Sequence, residues 1–375
     1  MKIGIITQPL YVNYGGLLQN YALQRVLTKM GYEVYTISRK IIPDIYRYPL
    51  YIKFYIKQKI KQMLGVPAYQ IRSEHLFIRQ HCIKFVDKNI KITKELKNDQ
   101  RHSIVEKYRF DGYVVGSDQV WRPCYSPNLY NDFLDFCQEQ KNIKRVAYAA
   151  SFGVSEWEFS EEQTRECGRL VKLFDAISVR EDTGVNLCHD YFGVDALHVL
   201  DPTLLLEKED YVKLAEEMKE PTSAGELFCY ILDNNPEIGI AIQDISSKLS
   251  LKSFEVKARK DNYIHKLGED INDYVIPAPT KWLRAFMDAK MVFTDSFHGC
   301  VFSIIFNKPF WVIGNKERGN ARFDSLLKLF NLEERRVDIT SLDNIDLNVP
   351  IDWDKVNQIK REWQKKSLKF LTDNL

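Results

Sequence analysis

The sequence predicts an α/β protein built from two doubly wound domains, and three observations carry that expectation. The chain has 375 residues, room for two domains at roughly 150 residues each. A strand–helix–strand unit opens it. The same alternation of short apolar runs with helical periodicity then recurs in two series along the chain. With 45% hydrophobic and 28% charged residues, fibrous and wholly disordered classes are excluded. A chain of this size can bury its cores without disulfide or metal staples.

Lys2 to Thr7 reads as a short, fully buried strand and Gln8 to Gly16 as a loop. Leu18, Tyr21, Ala22, Val26, Leu27 and Met30 then repeat at helical spacing. Gly31 stands where a helix end wants a residue with positive φ, and Tyr32 to Ser38 returns as a strand. Gly112–Val115, Arg145–Ala149 and Ala176–Val179 are further strands, with a helix between Glu161 and Phe174. The second series begins at Leu197–Leu200 and continues through Leu227–Leu232, Met291–Thr294 and Phe310–Ile313. Its helices are Asp210–Met218, Ile238–Leu249 and Lys281–Asp288. With the boundary between 178 and 200, the expected division is an N-terminal domain 1–180 and a C-terminal domain 181–350. Residues 351–375 would be a final helix, Lys355–Leu371, packing across the two.

Lys and Arg total 53 against 51 Asp and Glu, a net charge of +2. That balance implies no nucleic-acid partner. Seven scattered cysteines without a CxxC suit a reducing compartment and oppose a disulfide scaffold or zinc site. The seven histidines form no HxxxH or HxH pair, so no obligatory metal is expected. The apolar run at the N-terminus is too short for a signal peptide, and no segment offers the ~18 apolar residues of a membrane span. A soluble cytoplasmic protein is the expectation. Residues 45–73 stand apart, with six cations, no acid and six interleaved aromatics. Ile52, Ile56, Ile60, Met63 and Leu64 share one helical face. Either this basic amphipathic insertion covers the first domain with its apolar side, or it touches anionic lipid, which would place the protein at the inner face of the membrane.

Four segments at predicted strand ends could carry chemistry, since open α/β sheets bind ligands there. Asn13-Tyr14-Gly15-Gly16 with Gln19 is either a tight turn or an anion-accepting helix start; it is neither GxGxxG nor a P-loop. Gly116-Ser117-Asp118-Gln119 lacks the Gly-x-Ser-x-Gly elbow, and Asp118 is either a helix cap or a base. Arg180, leaving a buried strand beside Glu181, either pairs with a carboxylate or grips a phosphate or carboxylate ligand. Thr294-Asp295-Ser296-Phe297-His298-Gly299 is the richest. Its histidine at a helix N-terminus suits a neutral base or an N–H donor to an anion. A later loop carries Lys316 and Arg318 between Gly314 and Gly319, with Arg322 just beyond, either solvated or closing over a phosphate.

Taken in order, these segments make the chain resemble the polysaccharide pyruvyl transferase family. The likeness rests on Asn13, Gly15, Gly16 and Gln19, Val-Gly-Ser-Asp-Gln-x-Trp at 115–121, Ser-Val-Arg-Glu at 178–181, Asp-Pro-Thr at 201–203, and Thr-Asp-Ser-Phe-His-Gly at 294–299. The resemblance implies two Rossmann-like domains facing a cleft, as in GT-B glycosyltransferases. It implies phosphoenolpyruvate as donor, no further cofactor, and a glycan or lipid-linked oligosaccharide acceptor that becomes a pyruvate ketal of a cell-surface or capsular polysaccharide. The donor is expected in the second domain and the acceptor against the first. A homodimer is a further expectation.

On this reading His298 binds phosphate or handles a proton, and Asp295 or Asp118 is the base toward the acceptor. Arg180, Ser296, Lys316, Arg318 and Arg322 would hold the donor, with Asn13, Gly15, Gly16, Gln19, Ser117 and Gln119 also lining the substrate site. The chain departs from the pattern at Ser296, where some members carry arginine, so a cation elsewhere would have to compensate. Two other readings stay open: a GT-B glycosyltransferase using a nucleotide sugar, and a non-catalytic glycan- or phosphate-binding member of the fold.

Overall fold

The apolar runs assemble into two parallel sheets, in each of which the strand order reverses beside the first strand of that sheet. The structure, a computed structural model, describes residues 1–38, 50–64, 68–69, 72–94, 101–126, 128–233, 235–260, 264–265, 269–314, 319–339, 342 and 345–375. The first half runs β1 (Lys2–Ile6), α1 (Tyr14–Lys29), β2 (Glu33–Thr36), α2 (Leu50–Met63), β3 (Ala68–Tyr69), α3 (Arg72–Ile78), α4 (Gln80–Asn89) and α5 (Arg101–Tyr108). It continues with β4 (Gly112–Gly116), β5 (Lys144–Ala150), α6 (Glu161–Val171), β6 (Ala176–Val179), α7 (Asp182–Leu187) and β7 (Leu197–His198). The second half holds α8 (Lys208–Glu217), β8 (Leu227–Tyr230), α9 (Pro236–Leu249), β9 (Ser253–Phe254), β10 (Ile264–His265) and α10 (Pro279–Asp288). Then follow β11 (Met291–Thr294), α11 (Phe297–Ile305), β12 (Phe310–Ile313), α12 (Ala321–Phe330), β13 (Arg336–Val337) and α13 (Trp353–Asn374).

The first sheet has the order β2-β1-β4-β5-β6-β7 and the second β13-β12-β11-β8-β9. Every ladder within them is parallel. Such sheets are covered on both faces, which is why their strands read as continuous apolar runs. Along β4, Val114 joins the core under α1 while Tyr113 and Val115 join the opposite one under α6. The first of these cores does not stop at the domain edge. It runs from Ile3 and Leu17 through Leu204 and Tyr211 to Trp282, Val292 and Phe302, so the halves share one apolar layer.

Two expectations need correction. β7 pairs with β6 through Ser178–Leu197 and Val179–His198, so residues 181–198 close the first sheet and the division falls after β7, not at 180. Leu197–Leu200 had suited either sheet, since a short apolar run carries no partner preference. The second correction concerns the 45–73 insertion. Ile52, Ile56, Ile60 and Met63 of α2 are 40–74% exposed, while Gln58 is 3% exposed, so the apolar stripe does not cover the first domain. The docked side is the opposite one, where Gln58 is buried and Phe54 half-buried, and Lys59 at the stripe's other margin pairs with Glu74 at 3.5 Å.

α13 returns across the junction. Ser367 Oγ accepts from Leu200 N at 3.0 Å, Gln364 Nε2 donates to Leu204 O at 2.8 Å, and Phe370 meets the Tyr148 ring. It thereby clamps residues 199–205, the stretch that leads from the first sheet into the second half.

Candidate functional site

The site is organised around an acid in an apolar run, Leu200-Asp201-Pro202. Pro202 opens a short 3₁₀ turn, and Asp201 caps it. Asp201 Oδ1 accepts from Thr203 N at 3.0 Å and from Thr203 Oγ1 at 2.7 Å. Oδ2 accepts from Ser117 Oγ at 3.0 Å and from Arg180 Nη1 at 3.0 Å, and lies 3.6 Å from His298 Nε2. Burial would raise the Asp201 carboxyl, but His298, the Arg180 charge and the Thr203 hydrogen bond together hold it well below the usual carboxylate range. One side chain therefore joins the ends of β4 and β6, its own turn, and the start of α11.

Arg180 leaves β6 buried. Nε donates to Glu181 Oε1 at 3.2 Å, Nη1 to Asp201, and Nη2 to Ser151 Oγ at 3.0 Å. Ser151 Oγ donates in turn to Glu181 Oε1 at 2.6 Å. Its guanidinium stacks on Phe297 at 4.3 Å from the ring centroid. Burial alone would lower the Arg180 guanidinium, yet the charges of Glu181, Asp201 and Asp118 raise it. The carboxylate-paired alternative is thus the one realised. Arg180 positions Asp201 and Phe297.

Asn13 caps α1, its Oδ1 accepting from Gly16 N at 3.2 Å. Gln19 braces the same turn from behind, Nε2 donating to Thr7 Oγ1 at 2.8 Å and Gly16 O at 3.1 Å. At Gly15 the turn meets the second half: a Cβ there would lie 2.0 Å from His298 Nδ1. Only glycine lets the α1 start approach the imidazole so closely. His298 therefore sits between Asp201 at Nε2 and the α1 N-terminus at Nδ1.

Asp118 holds φ +63°, a costly conformation for a non-glycine residue. Its Oδ1 accepts from Gln119 N at 2.9 Å, and Oδ2 lies 3.3 Å from where a Gly16 Cβ would stand. Neighbouring Ala149, φ +50°, sits where the β5–β6 register shifts. A bulge of this kind re-aims side chains beside a site. Gln119 Oε1 accepts from Arg122 Nη1 at 3.2 Å, and Arg122 forks onto Glu158 at 2.9 Å through both Nε and Nη2.

The Thr294–Gly299 turn divides its labour. Asp295 accepts backbone N–H groups of Leu232 (2.8 Å) and Asp233 (3.0 Å), which ties β8 to β11. Ser296 occupies the α11 N-cap position, buried and without a side-chain capping bond. Arg322, in the first turn of α12, is also buried, 6.0 Å from the Phe297 centroid. Its guanidinium is pushed down to about 10, first by burial and then by the charge of Arg180, while Glu181 and Asp118 pull the other way. Nearby, Gly319 packs on Gly153 O, where an added Cβ would be 2.4 Å away.

The structure therefore brings His298, Asp118, Arg180, Arg322, Ser296, Ser117 and the Asn13–Gly16 turn to the adjoining ends of the two sheets. Ser117, Gln119 and Gln19 turn their polar groups into the scaffold. Lys316 and Arg318 lie outside the described residues. Among the described residues no three His, Cys, Asp or Glu side chains group as a metal site. Sequence reasoning offered Glu181 as a partner of Arg180 but gave Asp201 and Ser151 no role in the site, although an acid inside the Leu197–Leu206 run was itself a signal, because a buried charge needs partners.

Two parallel α/β halves with their strand ends meeting at a helix-start histidine define a protein of the GT-B-like, double Rossmann class. Solved structures agree on the fold. UDP-GlcNAc 2-epimerase from Methanocaldococcus jannaschii shares 11% identity over 99% of each chain with a TM-score of 0.53. Arabidopsis thaliana UGT89C1 complexed with UDP-L-rhamnose shares 8% over 98% of this chain and 97% of that one, TM-score 0.51. No curated protein matches in sequence. The sequence profile described as polysaccharide pyruvyl transferase matches residues 13–317, and the chain belongs to that family.

Two outcomes follow from the geometry. Asp201→Asn removes one of the two carboxylates paired with buried Arg180 and is expected to lower stability by about 1–3 kcal/mol at neutral pH. Because the folded carboxyl titrates below its unfolded value of roughly 3.9, its stabilisation is present above about pH 4 and fades below. The gap in melting temperature between the two proteins should narrow as pH falls through that range. Gly15→Ala should push the turn off His298, cost about 1–3 kcal/mol of stability through overpacking, and lower kcat roughly 100-fold, the usual weight of an ångström's misplacement. Unchanged turnover would show that the close approach is not needed.

Proposed function

We propose that this chain transfers a pyruvyl group from phosphoenolpyruvate to two neighbouring hydroxyls of a cell-surface or capsular polysaccharide precursor, forming a cyclic ketal and releasing phosphate. The observation that carries the reading is Arg322, a buried guanidinium beside Arg180 whose proton is held less tightly than usual. A buried cation next to another cation favours an anion, and phosphoenolpyruvate brings a phosphate and a carboxylate. The starts of α11 and α12 add backbone N–H groups of the same sign. Arg322 supplies the charge that Ser296 lacks.

His298, whose Nε2 lies 3.6 Å from the Asp201 carboxylate, delivers a proton to the methylene carbon of the enol. The adjacent carbon becomes electrophilic, and the first sugar hydroxyl adds its oxygen while losing its proton to Asp118. The carbon–oxygen bond to phosphate then breaks, phosphate departs with the bonding pair, and the second hydroxyl adds to close the ketal. Its proton leaves with phosphate. Asp118 suits the base better than Asp295, because both oxygens of Asp295 already accept backbone N–H groups. Proton transfer of this kind contributes about 10²–10⁴-fold.

The test is calorimetric titration with phosphoenolpyruvate followed by turnover with a glycan acceptor. Arg322→Gln should weaken donor binding about 10- to 100-fold, the weight of one charged hydrogen bond. His298→Asn should bind donor nearly as well and lose about 10²–10⁴-fold in kcat. Absence of donor binding, with stabilisation by a uridine or guanosine nucleotide sugar, would replace this reading by glycosyl transfer. Donor binding without turnover on any acceptor would leave a binding protein.

A further inference from the structure

We propose that α2 seats the chain on an anionic lipid surface through the stripe Ile52–Ile56–Ile60–Met63. At 100° per residue these four side chains fall within an arc of about 80°. They are 40%, 51%, 51% and 74% exposed. A helix folded against a water-soluble domain turns such a stripe inward; this one turns inward a glutamine, Gln58, and keeps its isoleucines in solvent. Isolated exposed apolar residues need no explanation, but an aligned set with the opposite side docked does.

The charge around the stripe selects the partner. Residues 45–73 carry no acid, and the exposed Lys53 and Lys57 run along one edge of the stripe. Apolar side chains with flanking lysines match an interface of acyl chains beneath phosphate headgroups, with the lysine stems reaching up to the charge. A symmetric contact with a second copy would instead set Lys53 and Lys57 against the same like-charged edge. No helix among the described residues is long and apolar enough to cross a membrane, so the contact is a face laid on the surface.

The location gives the contact a use. α2 is fixed to α3 through Lys59–Glu74. α3 and the residue after it reach the loop before the Asn13–Gly16 turn, where His75 hydrogen-bonds to Tyr11 and the Arg79 guanidinium stacks 3.2 Å over the Tyr11 ring. β3, beyond α2, pairs antiparallel with β10 of the second half. A seated α2 therefore holds the first-half side of the site toward the lipid surface. This inference stands apart from the pyruvyl reading, and either can fail without the other.

Flotation of the full chain with phosphatidylcholine vesicles, with and without phosphatidylglycerol, tests it, alongside light scattering for oligomeric state. Binding should require phosphatidylglycerol and fall as salt is raised. Ile56→Glu with Ile60→Glu, and separately Lys53→Glu with Lys57→Glu, should each reduce the floated fraction roughly tenfold. Both pairs are at the surface, so melting temperature and oligomeric state should be unchanged. Failure of the native chain to float, or equal flotation by either variant, overturns the proposal. A dimer that the isoleucine variant turns into monomer also overturns it and assigns the face to a second copy.

Discussion

A carboxylate buried as completely as that of Asp201 is tolerated only while its partners remain in place. Left unpaired in such surroundings, the charge costs several kcal/mol. Its partners come from the end of β4 (Ser117), the end of β6 (Arg180), its own turn (Thr203) and the start of α11 (His298). None of these elements can drift without stranding the charge. The same constraint that stabilises the junction therefore also places the imidazole, with Nε2 3.6 Å from the carboxylate and Nδ1 facing the α1 start. Preorganisation of this kind removes the reorganisation that would otherwise be required during reaction.

The backbone around this network is held in conformations it would not choose alone. Asp118 at φ +63° and Ala149 at φ +50° each cost on the order of 1–3 kcal/mol, and both stand at the ends of strands buried on two faces. Those strands offset the cost: β4 is buried at every residue, and the β5 backbone beyond the register shift is caught by Ser178, whose Oγ donates to Ala147 O and accepts from Ala149 N. The apolar layer shared by both halves limits hinge motion at the junction. Gly319, just before α12, adds a further close approach to the first half at Gly153 O.

Much of this was legible in the chain. The central strands β1, β4, β5, β6, β8, β11 and β12 were readable because a strand buried on both faces is a continuous apolar run, and that signal survives without knowledge of its neighbours. β7 was assigned to the wrong sheet for the complementary reason. Two residues of ladder hold no information about partner, and only the pairing with β6 decides it. α3 and α4 went unread, although Ile78, Cys82, Phe85 and Val86 carry a helical period, because their apolar face is sparse. At the site, the residue types at each turn were visible, but their partners were not. Arg180 looked equally fit for ligand or carboxylate, and only the placement of Asp201 beyond β7 settles which.

The two arginines at Phe297 show how a fold can set like charges in different surroundings. Arg180 is surrounded by Asp201, Glu181 and Ser151, so its charge is balanced and its proton held firmly. Arg322 lies against the same ring under the repulsion of that neighbour, and its proton is held more loosely. The fold thus sets two cations on one aromatic ring in different fields: Arg180 has carboxylates at hydrogen-bond distance, whereas Arg322 feels burial and the charge of Arg180, with Glu181 and Asp118 opposing them.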